Sequence, residues 1–151
     1  MPAGQLSLKG RALRLLGARE HSRAELERKL AAREEEPGQL RRVLDELQAK
    51  GFINEQRVLE SVLHRRSPRL GAARIRQELQ GKGLDPRLVA SALEDLRSTE
   101  LQRARVVWRK KFGVPPGDAR ERGKQARFLD ARGFGGEVIS RVLASGGEEQ
   151  G

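Results

Sequence analysis

Five arginines, Arg65, Arg66, Arg69, Arg74 and Arg76, crowd twelve residues of this chain, and Lys82 follows closely. A second basic cluster comprises Arg105, Arg109, Lys110 and Lys111. Guanidinium and ammonium groups at this density suit phosphate neutralisation and counterion release, which supply affinity without base readout. The competing use is a solvated helix face, with Glu60, Glu78, Glu94 and Glu100 at hand. The first cluster favours binding because it spans a helix end, a loop and the next helix.

Catalysis and metal chemistry have little to work with. The chain has no Cys and no Tyr, which removes thiolate nucleophiles, disulfides and Cys-ligated zinc. Its two histidines, His21 and His64, lie outside any pattern such as HExxH. The run Glu34-Glu35-Glu36 precedes Pro37 and reads as a solvated loop. The stretch Gly133 to Gly136 lacks the Lys and the strand that a phosphate loop needs. No catalytic residue, metal or cofactor is expected.

Across 151 residues, 31 Lys or Arg oppose 21 Asp or Glu, for a net charge of +10. The surplus is uneven: +3 over residues 1–53, +7 over 54–112 and zero over 113–151. A polyanionic partner follows, with nucleic acid first. No stretch approaches the ~20 apolar residues of a membrane span. The N-terminal segment lacks the apolar run and cleavage site of a signal peptide, so a cytoplasmic protein is expected.

The elements that must carry these cations are helical. Leu occurs 21 times, Val and Ile together 12 times and Thr once, a balance that favours helix over strand. Capping signals at Ser22/Glu25, Asn54, Thr99/Gln102 and Asp118/Glu121 open helices, and Asp85-Pro86 starts another. Breaks at Pro37-Gly38, Gly51, Pro68 to Gly71, Gly81 to Gly83, Gly113 to Gly117 and Gly133 separate them. Nine helical segments result. Trp108 falls on the stripe Leu101, Ala104, Trp108, Phe112 and reads as core rather than as a base-stacking platform. Phe52, Phe128 and Phe134 read as core residues that close the repeats.

A repeat underlies the helices. Leu30, Leu40 and Leu44 have the spacing of Leu79, Val89 and Leu93, and again of Leu129, Ile139 and Leu143. Lys82-Gly83-Leu84 matches Arg132-Gly133-Phe134 in offset, whereas the first unit has Arg33 followed by Glu34 and Glu35. Apolar positions recurring at this period belong to arrays that bury faces between neighbouring helices. The expected fold is all-α, an elongated curved array of three tandem three-helix repeats over 7–53, 54–97 and 98–145, with a disordered tail at 146–151.

The segments HSRAELERKLAAR (His21 to Arg33), RVLESVLHRRSPRLGAARIRQELQGKGLD (Arg57 to Asp85) and FLDARGF (Phe128 to Phe134) resemble the bacterial RecX regulators. The middle segment is the most specific: a basic pair, Gly71, RIRQEL, then KG and a leucine. The resemblance runs from about Leu8 to Leu143 in the same order. It departs at NEQRVLE (Asn54 to Glu60), where the family has an acidic residue followed by an aromatic and a small one. The resemblance implies a modulator or inhibitor of the RecA recombinase in repair, recombination and the SOS response. It implies binding along the groove of the RecA–DNA filament, with no catalysis and no cofactor. The basic residues named above would meet the filament and single- or double-stranded DNA without strong sequence preference, in a monomer. A helix-turn-helix DNA-binding transcriptional regulator is the alternative that trihelical units and positive charge suggest. For base readout, however, the basic middle helix offers only Gln77 and Gln80.

Overall fold

The computed structural model describes residues 5–145, so the tail expected at 146–151 lies outside the described residues. Among the described residues nine α-helices and one 3-10 turn, Ala31–Arg33, make up the regular structure, with no strand. The helices are α1 (Leu8–Ala18), α2 (Arg23–Leu30), α3 (Gln39–Ala49), α4 (Glu55–Arg66), α5 (Ala72–Gly81), α6 (Pro86–Arg97), α7 (Glu100–Lys111), α8 (Ala119–Ala131) and α9 (Gly136–Ser145).

The capping chemistry explains most starts. Ser22 and Glu25 form a reciprocal capping box on α2, which satisfies two backbone donors at once. Asn54 Oδ1 accepts from Arg57 N at 3.0 Å, and Asp118 caps α8 through Glu121 N. Pro86 occupies the first position of α6, where a missing N–H costs nothing. Thr99 departs from expectation. Its backbone is already helical, and its hydroxyl donates to Leu96 O and accepts from Arg103 Nε instead of capping α7.

All nine repeat positions are buried: Leu30, Leu79 and Leu129; Leu40, Val89 and Ile139; Leu44, Leu93 and Leu143. Helical spacing therefore identified the apolar face of each triplet. The chain nevertheless divides into two compact units that do not follow the triplets. One comprises Met1–Ser61 with the Gly81–Asp85 turn, and the other Val62–Gln80 with Pro86–Gly151. The core of the first includes Leu8, Ala12, Leu26, Leu44, Leu47 and Ile53, and that of the second Ala104, Trp108, Leu129, Phe134, Val142 and Leu143. Trp108 is buried as expected, and its Nε1–H donates to Gln125 Oε1 at 2.8 Å. The amide of Gln125 in turn donates to Val114 O, which ties the 113–117 linker to α8. Phe52 corrects the expectation made for it. It is 47% exposed, because the turn closing α3 hands the core position to its neighbour Ile53.

Candidate functional site

The ten cations singled out above fall into three groups. Lys82 and Arg105 are withdrawn from the surface. Lys82 Nζ pairs with Glu25 Oε1 at 3.0 Å, with side chains only 14% and 8% exposed. Arg105 is buried on α7, and its Nε has no hydrogen-bond partner. Lys82 is thus engaged within the fold and Arg105 is covered by it. Arg66 and Arg74 are partly committed: Arg66 Nε pairs with Glu78 at 3.0 Å, and Arg74 Nη1 donates to Ala131 O at 2.7 Å. Arg65, Arg69, Arg76, Arg109, Lys110 and Lys111 are exposed.

Three of those six residues meet. Arg69, Lys110 and Lys111 rim an open cleft of about 280 Å³, joined by Arg132. Pro68, Val107 and Phe128 supply its apolar surface. None of the lining residues is acidic, and none of the four cations has a carboxylate partner among the described residues. The Arg132 guanidinium lies 4.8 Å from the Phe128 ring centroid and Lys111 Nζ 5.5 Å from it, within cation–π range. Phe112 meets the same ring edge-on, with centroids 5.3 Å apart.

The cleft is positioned by a residue that sequence reasoning passed over. Arg103 on α7 donates from Nη1 to Ser67 O at 2.9 Å and to Leu70 O at 2.7 Å, and from Nη2 to Leu96 O. Burial lowers its pKa and Glu100 opposes that, while the guanidinium stays charged at any ordinary pH. The guanidinium thus folds the 67–70 turn around itself and holds Pro68 and Arg69 at the cleft. Glu100 Oε1 accepts from Ala72 N at 3.1 Å and caps α5 from outside. These contacts join residues 28 to 36 apart, and no local spacing announces them.

Two turns equivalent in the repeat do different work. In the first unit, the Gly81–Asp85 turn rests on α2: Arg28 Nη2 donates to Gly81 O, and Lys82 reaches Glu25. Burial raises the Glu25 pKa, but Arg19 at 2.8 Å, the Ser22 N–H and Lys82 outweigh it and hold the carboxyl at about 2. His21 is buried beside this group. Its Nε2 accepts from Lys29 Nζ, and burial and neighbouring cations keep its pKa low, so the ring is neutral. In the second unit, the Arg132–Gly133 turn rests on the start of α5. Gly71 N donates to Arg132 O at 2.8 Å and Ala73 N to Gly133 O at 3.2 Å. The orphan donors of one helix start thereby meet the free carbonyls that follow another helix end. Arg132, the counterpart of Lys82, faces no carboxylate and turns toward Phe128.

Sequence reasoning also missed a basic group in the first unit. Arg11, Arg14, Lys29 and Arg33 line a second hollow with Leu6, Leu15 and Leu30. The i,i+3 and i,i+4 spacing of these cations was the available signal.

Among the described residues no cluster of His, Asp and Glu could hold a metal ion, and no helix is long and apolar enough to cross a membrane. The fold defines an all-α protein of three-helix repeats. Residues 9–47, 54–93 and 98–143 match the first, second and third three-helix domains of RecX, respectively. The chain is 58% identical to Regulatory protein RecX of Leptothrix cholodnii, covering 92% of this chain and 88% of that protein. It is 45% identical to Regulatory protein RecX of Ralstonia nicotianae, covering 95% and 90%. The chain belongs to the RecX family. The crystal structure of RecX from Lactobacillus salivarius shares the fold, with a TM-score of 0.72 at 19% identity over 91% of this chain and 93% of that one. The relatives carry the name of a regulator, not of an enzyme.

Proposed function

We propose that this chain binds the RecA–DNA filament and inhibits the recombinase, ATPase and coprotease activities of RecA in repair and recombination. The observation that carries this reading is the cleft at Arg69, Lys110, Lys111 and Arg132, whose cations lack carboxylate partners, in a chain of the RecX family. Unpaired cations release counterions on meeting phosphate, and such binding is indifferent to base sequence. Arg65 and Arg76 extend the exposed positive surface on α4 and α5. The protein acts as a cytoplasmic monomer built of repeats at 7–53, 54–97 and 98–145, and it binds single- and double-stranded DNA as well as the filament. Retention on RecA-coated single-stranded DNA, bare DNA and immobilised RecA tests the reading. The filament should retain the chain most strongly, and inhibition of strand exchange should follow the same titration. Equal retention on bare DNA with none attributable to RecA would contradict it.

A further inference from the structure

We propose that the cleft bounded by Pro68, Arg69, Val107, Lys110, Phe128 and Arg132 takes one nucleotide of a single DNA strand, with the base laid against Phe128 and Arg132 and the flanking phosphates against Arg69, Lys110 and Lys111. The inference rests on the filament-binding reading above and names what that surface holds.

The chemistry of the lining carries it. The rim is wholly cationic, which fits a polyanion. The floor is apolar and carries an aromatic ring, for which phosphate binding alone has no use. Aspartate and glutamate chains likewise have no flat apolar face to set against that ring. A nucleotide has both parts: a charged group for the rim and a π-face for the floor. The Arg132 guanidinium lies over the ring at 4.8 Å and itself offers a planar face to a base, since guanidinium planes stack on bases as well. The cleft of about 280 Å³ is open to solvent, so a splayed-out base can reach its floor, whereas an intact duplex, with its bases paired inward, cannot present one. Arg103, which fixes the turn bearing Pro68 and Arg69, keeps the rim and floor in register before any ligand arrives.

The test uses the full chain, a fifteen-residue oligothymidylate, an abasic strand with the same number of phosphates, and polyglutamate of matching charge. The wild type should bind the thymidylate about tenfold more tightly than the abasic strand, the scale of one base–aromatic stack. Phe128→Leu keeps the apolar packing against Phe112 and should erase most of that preference without altering the salt slope. The pair Lys110→Glu and Lys111→Glu should weaken both strands alike and lower the log–log salt slope by about 0.7 for each phosphate no longer neutralised. Equal binding of the two strands by the wild type, or a preference that survives Phe128→Leu, would overturn the proposal. Polyglutamate that binds more tightly than thymidylate, and loses affinity through the same substitutions, would assign the cleft to an acidic protein segment and also overturn it. Failure of the wild type to bind RecA-coated DNA would refute the filament reading instead, while the thymidylate-to-abasic ratio still decides this one.

Discussion

Lys82-Gly83 and Arg132-Gly133 occupy the same place in successive repeats, yet one turn is locked by charge and the other by backbone. At the first, Glu25 is shared by Lys82, Arg19 and the Ser22 N–H, and Gly83 would bring a Cβ to 2.8 Å from the Ala24 side chain. At the second, the glycines at 71 and 133 let two backbones touch, and a Cβ on Gly133 would meet Arg74 Cγ at 2.5 Å and its backbone N at 2.6 Å. Position 25 is acidic, and its repeat counterpart at position 74 is arginine. Opposite glutamate the turn's cation becomes part of the fold. Opposite arginine it turns toward Phe128 and has no carboxylate partner among the described residues. One repeated turn is thus closed by an ion pair in one copy and by backbone hydrogen bonds in the next.

The largest effect separating the two turns is steric. Gly133 has φ +90, and a side chain there collides with backbone, so Gly133→Val should cost at least about 4 kcal/mol or abolish folding of its unit. Gly83→Ala, with φ +68 and only a methyl group to displace, should cost about 1–3 kcal/mol in urea unfolding. Similar losses at the two sites would show that the two turns are packed alike. Leu79 and Leu129 are fully buried, so Leu→Ala at either should cost roughly 2–5 kcal/mol. A melting curve like the parent's for both would place the shared apolar face elsewhere.

The charge lock gives a pH signature. Glu25 falls from its usual value near 4.5 to about 2, so its contribution is complete above about pH 5 and is lost as acid takes the group from 4.5 toward 2. That shift corresponds to about 3 kcal/mol at neutral pH. Glu25→Gln should remove this share of the acid-induced loss, and unfolding free energies compared between pH 6 and pH 3 measure it. An unchanged pH dependence would show that Glu25 is not stabilised in the fold. Lys82→Ala is gentler, since Arg19 still holds Glu25. It should cost about 1.5–3 kcal/mol, and Arg132→Ala less than about 1 kcal/mol, in the same denaturation assay. Equal costs would mean that Arg132 too is a structural cation.

The sequence made the helices legible because caps, prolines and the Leu period act over four residues or fewer. Ser22, Asn54, Pro86 and Asp118 lie where local chemistry puts them. Thr99 was misread because Arg103 and the Leu96 carbonyl compete for its hydroxyl. The site was legible only as composition. Arg69, Lys110 and Lys111 could be named from density of charge, but their meeting depends on Arg103 and on a turn far along the chain. The surroundings of Lys82 were hidden for the same reason: charge can be counted in sequence, whereas Glu25, 57 residues away, is brought near only by folding. Arg132 was overlooked because the third repeat is neutral as a whole, and net charge hides a cation whose neighbours leave it unpaired.

Lys82 is engaged by Glu25, whereas the proposed binding falls to the cations around Phe128. Retention on RecA-coated single-stranded DNA, measured below the melting temperature of each protein, tests it with two variants. Lys82→Ala should be less stable yet hold the filament as the parent does. The double substitution Arg69→Glu and Lys110→Glu should keep its helical content and reduce retention at least about tenfold, with inhibition of strand exchange relieved in step. Loss of retention by Lys82→Ala together with full retention by the charge-reversed protein would assign binding to Lys82 and not to the cleft.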